Sequence, residues 1–156
     1  MFWNKKREIF APVEGRFVDL TEVEDEVFSS GMMGQGCGII PTGGTIVAPV
    51  DAEIISASPN MRHAMGLRLK NGCELLIHVG IDTVSLKNQG FSTLVSEGDQ
   101  VKKGTELLKF DPQIIKEAGL KDTVMVIVTN TKSFSLEVGT EAKELIAGES
   151  VIMTIK

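Results

Sequence analysis

Short apolar stretches recur along the chain and are separated by glycine, proline, asparagine and aspartate, the residues that favour tight turns. The stretches are rich in Val, Ile, Leu and Phe, and few of them show the spacing of an amphipathic helix. This pattern predicts an all-β fold. The predicted strands lie at residues 9–10, 16–20, 38–40, 44–47, 53–58, 64–70, 73–79, 90–95, 106–110, 124–129 and 150–155.

Two short helical segments are predicted between these strands. Residues 112–118 begin with Pro112 after Asp111, a residue that caps helix N-termini, and Gly119 follows them. A shorter helical turn is predicted at residues 83–86. The prolines and glycines are scattered rather than clustered, so we expect a flexible tail at residues 1–8 and a single domain at residues 9–156.

Part of the sequence is repeated. Residues 9–14 (Ile-Phe-Ala-Pro-Val-Glu) are matched by residues 46–51 (Ile-Val-Ala-Pro-Val-Asp), and a shorter match links residues 98–101 with residues 148–151. The longer match indicates a duplication, whereas the shorter one is explained by the few residue types that turns favour. Because the two intervals differ, a regular solenoid or propeller is excluded. We expect one sandwich or barrel of two related halves.

Composition and charge narrow the classes of function. The chain has 156 residues and a formal net charge of −5 at pH 7, which suits one domain with its own core. The negative charge argues against nucleic acid as a partner, because phosphates favour a basic surface. No apolar run approaches the roughly 20 residues of a membrane span, and the N-terminus lacks the apolar region of a secretory signal. With only two cysteines, we expect a cytoplasmic protein.

The two histidines, His63 and His78, are brought together by a predicted hairpin. Residues 71–72 (Asn-Gly) lie between two strand-like runs and are typical of a two-residue turn. In that register Met65 faces His78 and His63 faces Gly80, all on one side of the hairpin. Diagonal neighbours on one side have Cβ atoms about 7–8 Å apart, so the two imidazole rings are expected to meet.

A pair of histidines suits phosphoryl transfer. One neutral ring nitrogen attacks phosphorus, and the other ring donates a hydrogen bond to the transferred oxygens. Zinc takes three or four protein ligands, and Asp82 is the nearest third candidate. The sequence also lacks the Gly-rich phosphate loop with its lysine and the Gly-x-Ser-x-Gly elbow of hydrolases. We therefore expect neither a metal nor another cofactor.

Residues 74–86 (Glu-Leu-Leu-Ile-His-Val-Gly-Ile-Asp-Thr-Val-Ser-Leu) closely resemble the active-site signature of a known family. This family is the glucose-type enzyme IIA component of the bacterial phosphoenolpyruvate-dependent sugar phosphotransferase system. The similarity extends over nearly the whole chain, at residues 9–15, 40–43, 47–51, 63–64, 90–91 and 97–101. The resemblance implies an antiparallel β-sandwich of duplicated hybrid motifs. It also implies a phosphotransferase component in which His78 carries the phosphoryl group and His63 assists its transfer.

The resemblance further implies two protein partners. His78 would accept the phosphoryl group from the phosphocarrier protein HPr and pass it to a cysteine on the IIB domain of a sugar permease. Contact with the membrane would then be indirect, through the IIBC permease, and we expect a monomer. Family members dock their partners through a shallow apolar face with an acidic rim. The residues expected on that face are Val27, Phe28, Met32, Met33, Leu76 and Gly80, and those expected on the rim are Asp25 and Asp82.

The chain departs from the family pattern at two positions. Met61 replaces the threonine that family members usually have two residues before the histidine equivalent to His63. Glu26 replaces an apolar residue at the edge of the docking face. No linker-like composition is found at either end, so we expect a free-standing protein rather than part of a permease.

Three other interpretations compete with this resemblance. Residues 97–104 resemble part of a biotinyl or lipoyl carrier domain, but no Met-Lys-Met or Asp-Lys-Ala tripeptide is present. A zinc endopeptidase on the same scaffold needs more than two histidines. A regulatory or binding protein on this scaffold, without phosphotransfer, stays an alternative.

Overall fold

The computed structural model describes residues 6–156. Its described part contains strands β1 (Arg7–Phe10), β2 (Gly15–Asp19), β3 (Gln35–Pro41), β4 (Thr45–Val47), β5 (Ala52–Ser56), β6 (Ala64–Arg68), β7 (Glu74–Val79), β8 (Phe91–Thr93), β9 (Gln100–Val101), β10 (Glu106–Phe110), β11 (Val124–Val128), β12 (Leu136–Val138) and β13 (Val151–Ile155). The helices are α1 (Glu26–Ser29) and α2 (Pro112–Glu117), and 3₁₀ turns lie at Leu20–Glu22, Thr83–Leu86 and Thr131–Ser133.

Each strand predicted from the sequence is present, with modest shifts at the ends. The prediction missed β9 and β12, which are too short to show an alternation of apolar and polar residues. It also missed α1, a single turn that begins where the Asp25 side chain accepts a hydrogen bond from the Val27 amide. The predicted helix is α2, and the Asp111 carboxylate caps it by accepting from the Gln113 amide.

The strands form three antiparallel sheets. The largest has seven strands in the order β2-β3-β11-β7-β6-β5-β9, and the two smaller sheets have the orders β1-β13-β12 and β4-β10-β8. We call the largest cluster of buried apolar side chains the main core. It takes residues from all three sheets, such as Ile77 of β7, Ile9 of β1 and Leu108 of β10. Within residues 6–156 the architecture is an antiparallel β-sandwich with no closed barrel.

The longer sequence repeat has a counterpart in the hydrogen bonding. The Phe10 amide donates to the Pro49 carbonyl at 3.0 Å, and the Val47 amide donates to the Pro12 carbonyl at 2.8 Å. In the alignment of the two copies, Phe10 corresponds to Val47 and Pro12 corresponds to Pro49, so the two hydrogen bonds are equivalent. The two copies therefore cross at a local two-fold relation, as a duplicated motif predicts.

The shorter sequence repeat does not follow this relation. Gly148 donates its amide to the Ala11 carbonyl at 2.8 Å, and Gly104 donates to the equivalent Ala48 carbonyl at 2.9 Å. The turn at Gly148 thus corresponds to the turn at Gly104, not to residues 98–101. The similarity of residues 98–101 to residues 148–151 reflects the shared chemistry of turns.

The first strand begins earlier than the sequence indicates. Arg7 pairs with Ile155 and Glu8 with Thr154, so two residues assigned to the tail at 1–8 belong to the sandwich. The rest of that prediction, at residues 1–5, lies outside the described residues. None of the helices in residues 6–156 has the length and apolar character to cross a membrane.

The hairpin between β6 and β7 has a different turn from the predicted one. The Leu69 amide donates to the Cys73 carbonyl at 2.8 Å, which leaves a loop of three residues, 70–72. Gly72 supplies the left-handed conformation of this loop type with a φ of 89°, and the Asn71 side chain accepts from the Cys73 amide. The predicted two-residue turn at residues 71–72 is therefore wrong.

The longer loop moves the strand register by one residue. His78 pairs with Ala64, and Met65 pairs with Ile77 and lies in the main core. The predictions that Met65 faces His78 and that His63 faces Gly80 are both wrong, because a shift of one residue turns each side chain to the opposite face.

Candidate functional site

Strand β7 separates packing residues from site residues by simple alternation. Leu75, Ile77 and Val79 are at most 1% exposed and belong to the main core. Leu76 and His78 are only partly buried and point to the other side of the seven-stranded sheet, which we call the outer face. The reactive candidate His78 thus lies on a strand that the main core holds in place.

A second, smaller group of apolar residues covers part of the outer face, and we call it the outer cluster. Its buried members are Val23, Phe28, Ile81, Met125 and Ile127, with Leu20 and Leu76 packed against them. Strand β11 contributes to this cluster on one side and to the main core on the other. Its uninterrupted run of apolar residues is explained by burial on both faces.

The two histidine rings are in contact at the edge of the outer cluster. The ring centroids of His63 and His78 are 4.8 Å apart with an interplanar angle of 80°, an edge-to-face arrangement. The Phe28 ring lies 5.0 Å from the His78 ring. His63 immediately precedes the first residue of β6, Ala64, and its carbonyl accepts from the Val79 amide. The expected meeting of the rings is present, although the register differs from the predicted one.

One hydrogen bond fixes the tautomer of His78. Its Nδ1 atom lies 3.0 Å from the Gly80 carbonyl oxygen. A carbonyl oxygen only accepts, so in neutral His78 the proton is on Nδ1, and Nε2 keeps a free lone pair. The ring therefore presents Nε2 as its nucleophilic atom.

Burial keeps both histidines neutral. It lowers the pKa of His78 to about 4, and the neighbouring His63 ring lowers that pKa as well. The hydrogen bond to Gly80 and the carboxylate of Asp25 act in the opposite direction but do not outweigh burial. The pKa of His63 is also lowered by burial. At pH 7 the free lone pair on His78 Nε2 is consequently present in almost every molecule.

The residues predicted to form the docking face differ in how far they reach solvent. Val27, Met32 and Met33 are 48%, 80% and 38% exposed. Phe28 is buried beneath His78, and Leu76 is part of the outer cluster, so these two support the face from below. An exposed apolar surface is therefore present on the segment around α1.

Gly80, the last residue predicted for the docking face, contacts His78 through its backbone carbonyl. It is buried with a φ of 82°, and a Cβ atom at this position would lie 2.2 Å from Cγ2 of Thr83. Only glycine fits these two conditions together.

The two candidate rim acids lie at the starts of helical turns. The Asp25 carboxylate caps α1 and also acts on the pKa of His78. Asp82 is exposed and lies immediately before the 3₁₀ turn at Thr83–Leu86. Its backbone is in the left-handed helical conformation, with a φ of 60°. Within the described residues, Asp82 and the histidines are not part of any group of three or more residues placed to hold a metal.

Three neighbours of the site were not identified from the sequence. Met125 pairs with His78 across β7 and β11, but the unbroken apolar run of β11 gave no indication of which side chains face outward. Thr83 is 1% exposed and donates its hydroxyl to the Val79 carbonyl. Met61, which the sequence marks only as a departure from the family pattern, is 50% exposed and lies two residues before His63.

Comparison with known proteins identifies relatives of the chain. Residues 7–134 match the family model described as phosphoenolpyruvate-dependent sugar phosphotransferase system, EIIA 1. The chain is 41% identical over 148 residues to the PTS system glucose-specific EIIA component of Halalkalibacterium halodurans, covering 95% of this chain and 85% of that protein. It is 45% identical over 145 residues to the PTS system glucose-specific EIIBCA component of Corynebacterium glutamicum, covering 93% of this chain but 21% of that protein.

A solved structure agrees with the sequence relatives. The glucose permease IIA from Mycoplasma capricolum matches with a TM-score of 0.84 and 32% sequence identity, covering 99% of this chain and 98% of that chain. The chain thus spans nearly all of one solved relative, most of the separate EIIA component and about a fifth of the multidomain component.

Proposed function

This chain belongs to the EIIA 1 family of the phosphoenolpyruvate-dependent sugar phosphotransferase system, and we propose that it carries the phosphoryl group on His78. As an EIIA component it is a phosphotransferase of the sugar phosphotransferase system with a phosphocarrier role. The proposal concerns the residues that perform this role and the two proteins between which the phosphoryl group moves.

Nε2 of His78 is the proposed nucleophile. Its lone pair forms a bond to phosphorus while the bond from phosphorus to the donor protein breaks, and the electron pair of that bond stays with the donor. The proton on Nδ1 stays in its hydrogen bond to the Gly80 carbonyl throughout. Because the ring is already neutral and already oriented, little reorganisation precedes the transfer.

His63 is the proposed assisting residue. Its ring lies edge-on to His78 at 4.8 Å between centroids, close to where a phosphoryl group on His78 would extend. A ring N–H at this place would donate to the phosphoryl oxygens, whose negative charge is spread over three atoms. Met61 has no hydroxyl to orient His63, so in this chain the burial of His63 must hold the ring.

The proposed donor is HPr, and the proposed acceptor is a cysteine on the IIB domain of a sugar permease. The exposed apolar residues Val27, Met32 and Met33 are the proposed docking surface for both partners. They lie on the same segment as Phe28, whose ring is 5.0 Å from the His78 ring. Asp25 and Asp82 add negative charge at its edge, which favours partners with basic rims. The relative named EIIBCA component carries a EIIB part in the same protein, which supports a IIB partner.

The remaining parts of the proposal concern setting. The chain is proposed to work in the cytoplasm, as a monomer, and to meet the membrane only through the permease. The single observation that carries the proposal is the hydrogen bond from His78 Nδ1 to Gly80, because it leaves Nε2 free on a ring that is in contact with His63.

The test is a reconstituted phosphoryl relay. The chain is incubated with phosphoenolpyruvate, enzyme I and HPr, and acid-labile phosphate is located by mass spectrometry of peptides prepared at high pH. We expect one phosphoryl group per chain on the peptide that contains His78, and none when HPr is omitted. A purified IIB domain added afterwards should remove it.

One outcome overturns phosphotransfer. If HPr itself becomes phosphorylated while this chain takes no phosphate, the scaffold serves a binding or regulatory purpose instead.

A further inference from the structure

The chain leaves β7 through a tight turn at residues 79–83, and the first peptide group of this turn is held at both ends. The Gly80 amide donates to the Thr123 carbonyl at 2.8 Å. The Val79 carbonyl, which belongs to the same planar peptide group, accepts a hydrogen bond from Thr83 Oγ1 at 2.5 Å. Because a peptide group is planar, these two contacts at opposite edges restrain its orientation.

The second peptide group of the turn is held in the same way. The Ile81 amide donates to the Lys121 carbonyl at 3.0 Å. The carbonyl of this group is that of Gly80, and it accepts from His78 Nδ1 at 3.0 Å. Gly80 joins the two groups in one left-handed conformation, with a φ of 82°, so the direction of its carbonyl follows from the orientation of the first peptide group.

Two of these four hydrogen bonds are formed by side chains, one by His78 and the other by Thr83. Thr83 is 1% exposed, so water does not compete for the Val79 carbonyl. Its Cγ2 methyl also occupies the space beside Gly80 that a Cβ atom would need. Thr83 therefore packs against the turn and bonds to it at once.

We propose that Thr83 is a positioning residue that determines which ring nitrogen of His78 becomes phosphorylated. Its hydroxyl fixes the Val79–Gly80 peptide, and this peptide directs the Gly80 carbonyl at His78 Nδ1. The proton then stays on Nδ1, and Nε2 is the nitrogen that forms the bond to phosphorus as the donor's bond breaks. The effect on phosphorylation rests on the proposed function, whereas the position of the proton on His78 is a property of the unphosphorylated protein.

The test compares two substitutions at Thr83 with a control in the 3₁₀ turn that Thr83 begins. Thr83→Val keeps the shape and removes the hydroxyl, whereas Thr83→Ser keeps the hydroxyl. The control is Ser85→Ala, because Ser85 also donates its hydroxyl to a backbone carbonyl, that of Asp82, but is exposed. Long-range ¹H–¹⁵N NMR reports which imidazole nitrogen of His78 carries the proton, and a phosphoryl relay from HPr gives the transfer rate.

We expect wild type, Thr83→Ser and Ser85→Ala to hold the proton on Nδ1. Thr83→Val should give averaged nitrogen signals from both tautomers and a rate of transfer that is lower by about tenfold or more, since small misplacements of a reacting group are costly. The KM for phosphorylated HPr should not change, because Thr83 is buried away from the docking surface.

A Thr83→Val protein with the same tautomer as wild type would overturn the proposal, even if transfer slowed. If Thr83→Val does not fold, Thr83→Ala removes the same hydroxyl without the added methyl group and is judged by the same two results. A wild-type protein that accepts no phosphate would overturn the proposed function, while the tautomer comparison would still decide the role of Thr83.

Discussion

Ile77 and His78 are neighbours on β7, yet the surroundings of their side chains differ greatly. Ile77 is fully buried in a main core that all three sheets build together. His78 lies at the open edge of the outer cluster, with Phe28 and His63 against its ring. The difference shows how one strand serves two purposes: burial on the inner face holds the backbone still, and incomplete cover on the outer face leaves a fixed ring within reach of another protein.

The largest expected difference between the two faces of β7 is in their contribution to stability. Ile77→Ala should lower the free energy of unfolding by about 2–5 kcal/mol, because it leaves a cavity in a closely packed core. Leu76→Ala, on the outer face and only partly buried, is the matched control and should cost less. Urea denaturation measures both. Equal losses for the two variants would contradict the division between the faces.

The next effect is the dependence of stability on pH. The folded protein lowers the pKa of His78 from an ordinary value of 6.5 to about 4, so between these values the unfolded chain binds more protons. Stability from this residue is therefore fully present above pH 6.5 and is lost as pH falls towards 4, by about 3 kcal/mol in total. Urea denaturation across this range should show the loss in wild type and a smaller one in His78→Gln, which does not titrate. Identical profiles would contradict the burial of a neutral His78.

A smaller effect separates the two histidines by role. His63→Gln should still accept a phosphoryl group from HPr but pass it on to a IIB domain about a hundredfold more slowly, the usual cost of removing one donor to a transferred group. Rapid-quench measurements of the two half-reactions resolve the steps. A variant that fails to accept phosphate would show that His63 is essential for the first step as well.

The smallest effect concerns the docking surface. Met32→Glu should raise the KM for phosphorylated HPr by about tenfold, since it places a charge where apolar contact is expected. Neither stability nor the tautomer of His78 should change, because the Met32 side chain is 80% exposed. Ile146→Glu, at another exposed apolar residue that is 53% exposed, is the control and should leave the KM unaltered. Equal changes in the two variants would place the docking surface elsewhere.

Much of the fold could be predicted from the sequence, because its strands are short, apolar and bounded by turn residues. The repeat at residues 9–14 and 46–51 indicated the two related halves, and the reciprocal bonds between Phe10 and Pro49 and between Val47 and Pro12 bear this out. Strands β9 and β12 were missed because two or three residues carry no periodic signal.

The site was predicted less completely than the fold. The Asn-Gly pair at residues 71–72 indicated a hairpin correctly, but loops of two and three residues share this signal. The structure has the longer loop, in which the Asn71 side chain accepts from the Cys73 amide. That loop moved the register and made the reasoning for the His63 contact wrong, although the rings do meet. The role of Thr83 depends on a hydroxyl that bonds to a carbonyl four residues back, and no residue pattern identifies such a contact.

The central claim is that His78 carries the phosphoryl group on Nε2, the nitrogen that the Gly80 carbonyl leaves free. Phosphorus NMR of the phosphorylated protein distinguishes the two nitrogens of phosphohistidine and tests this claim most directly. We predict a single signal of the Nε2 type that is present in wild type and in His63→Gln and absent in His78→Ala. A signal of the Nδ1 type, or one that persists in His78→Ala, would contradict the account.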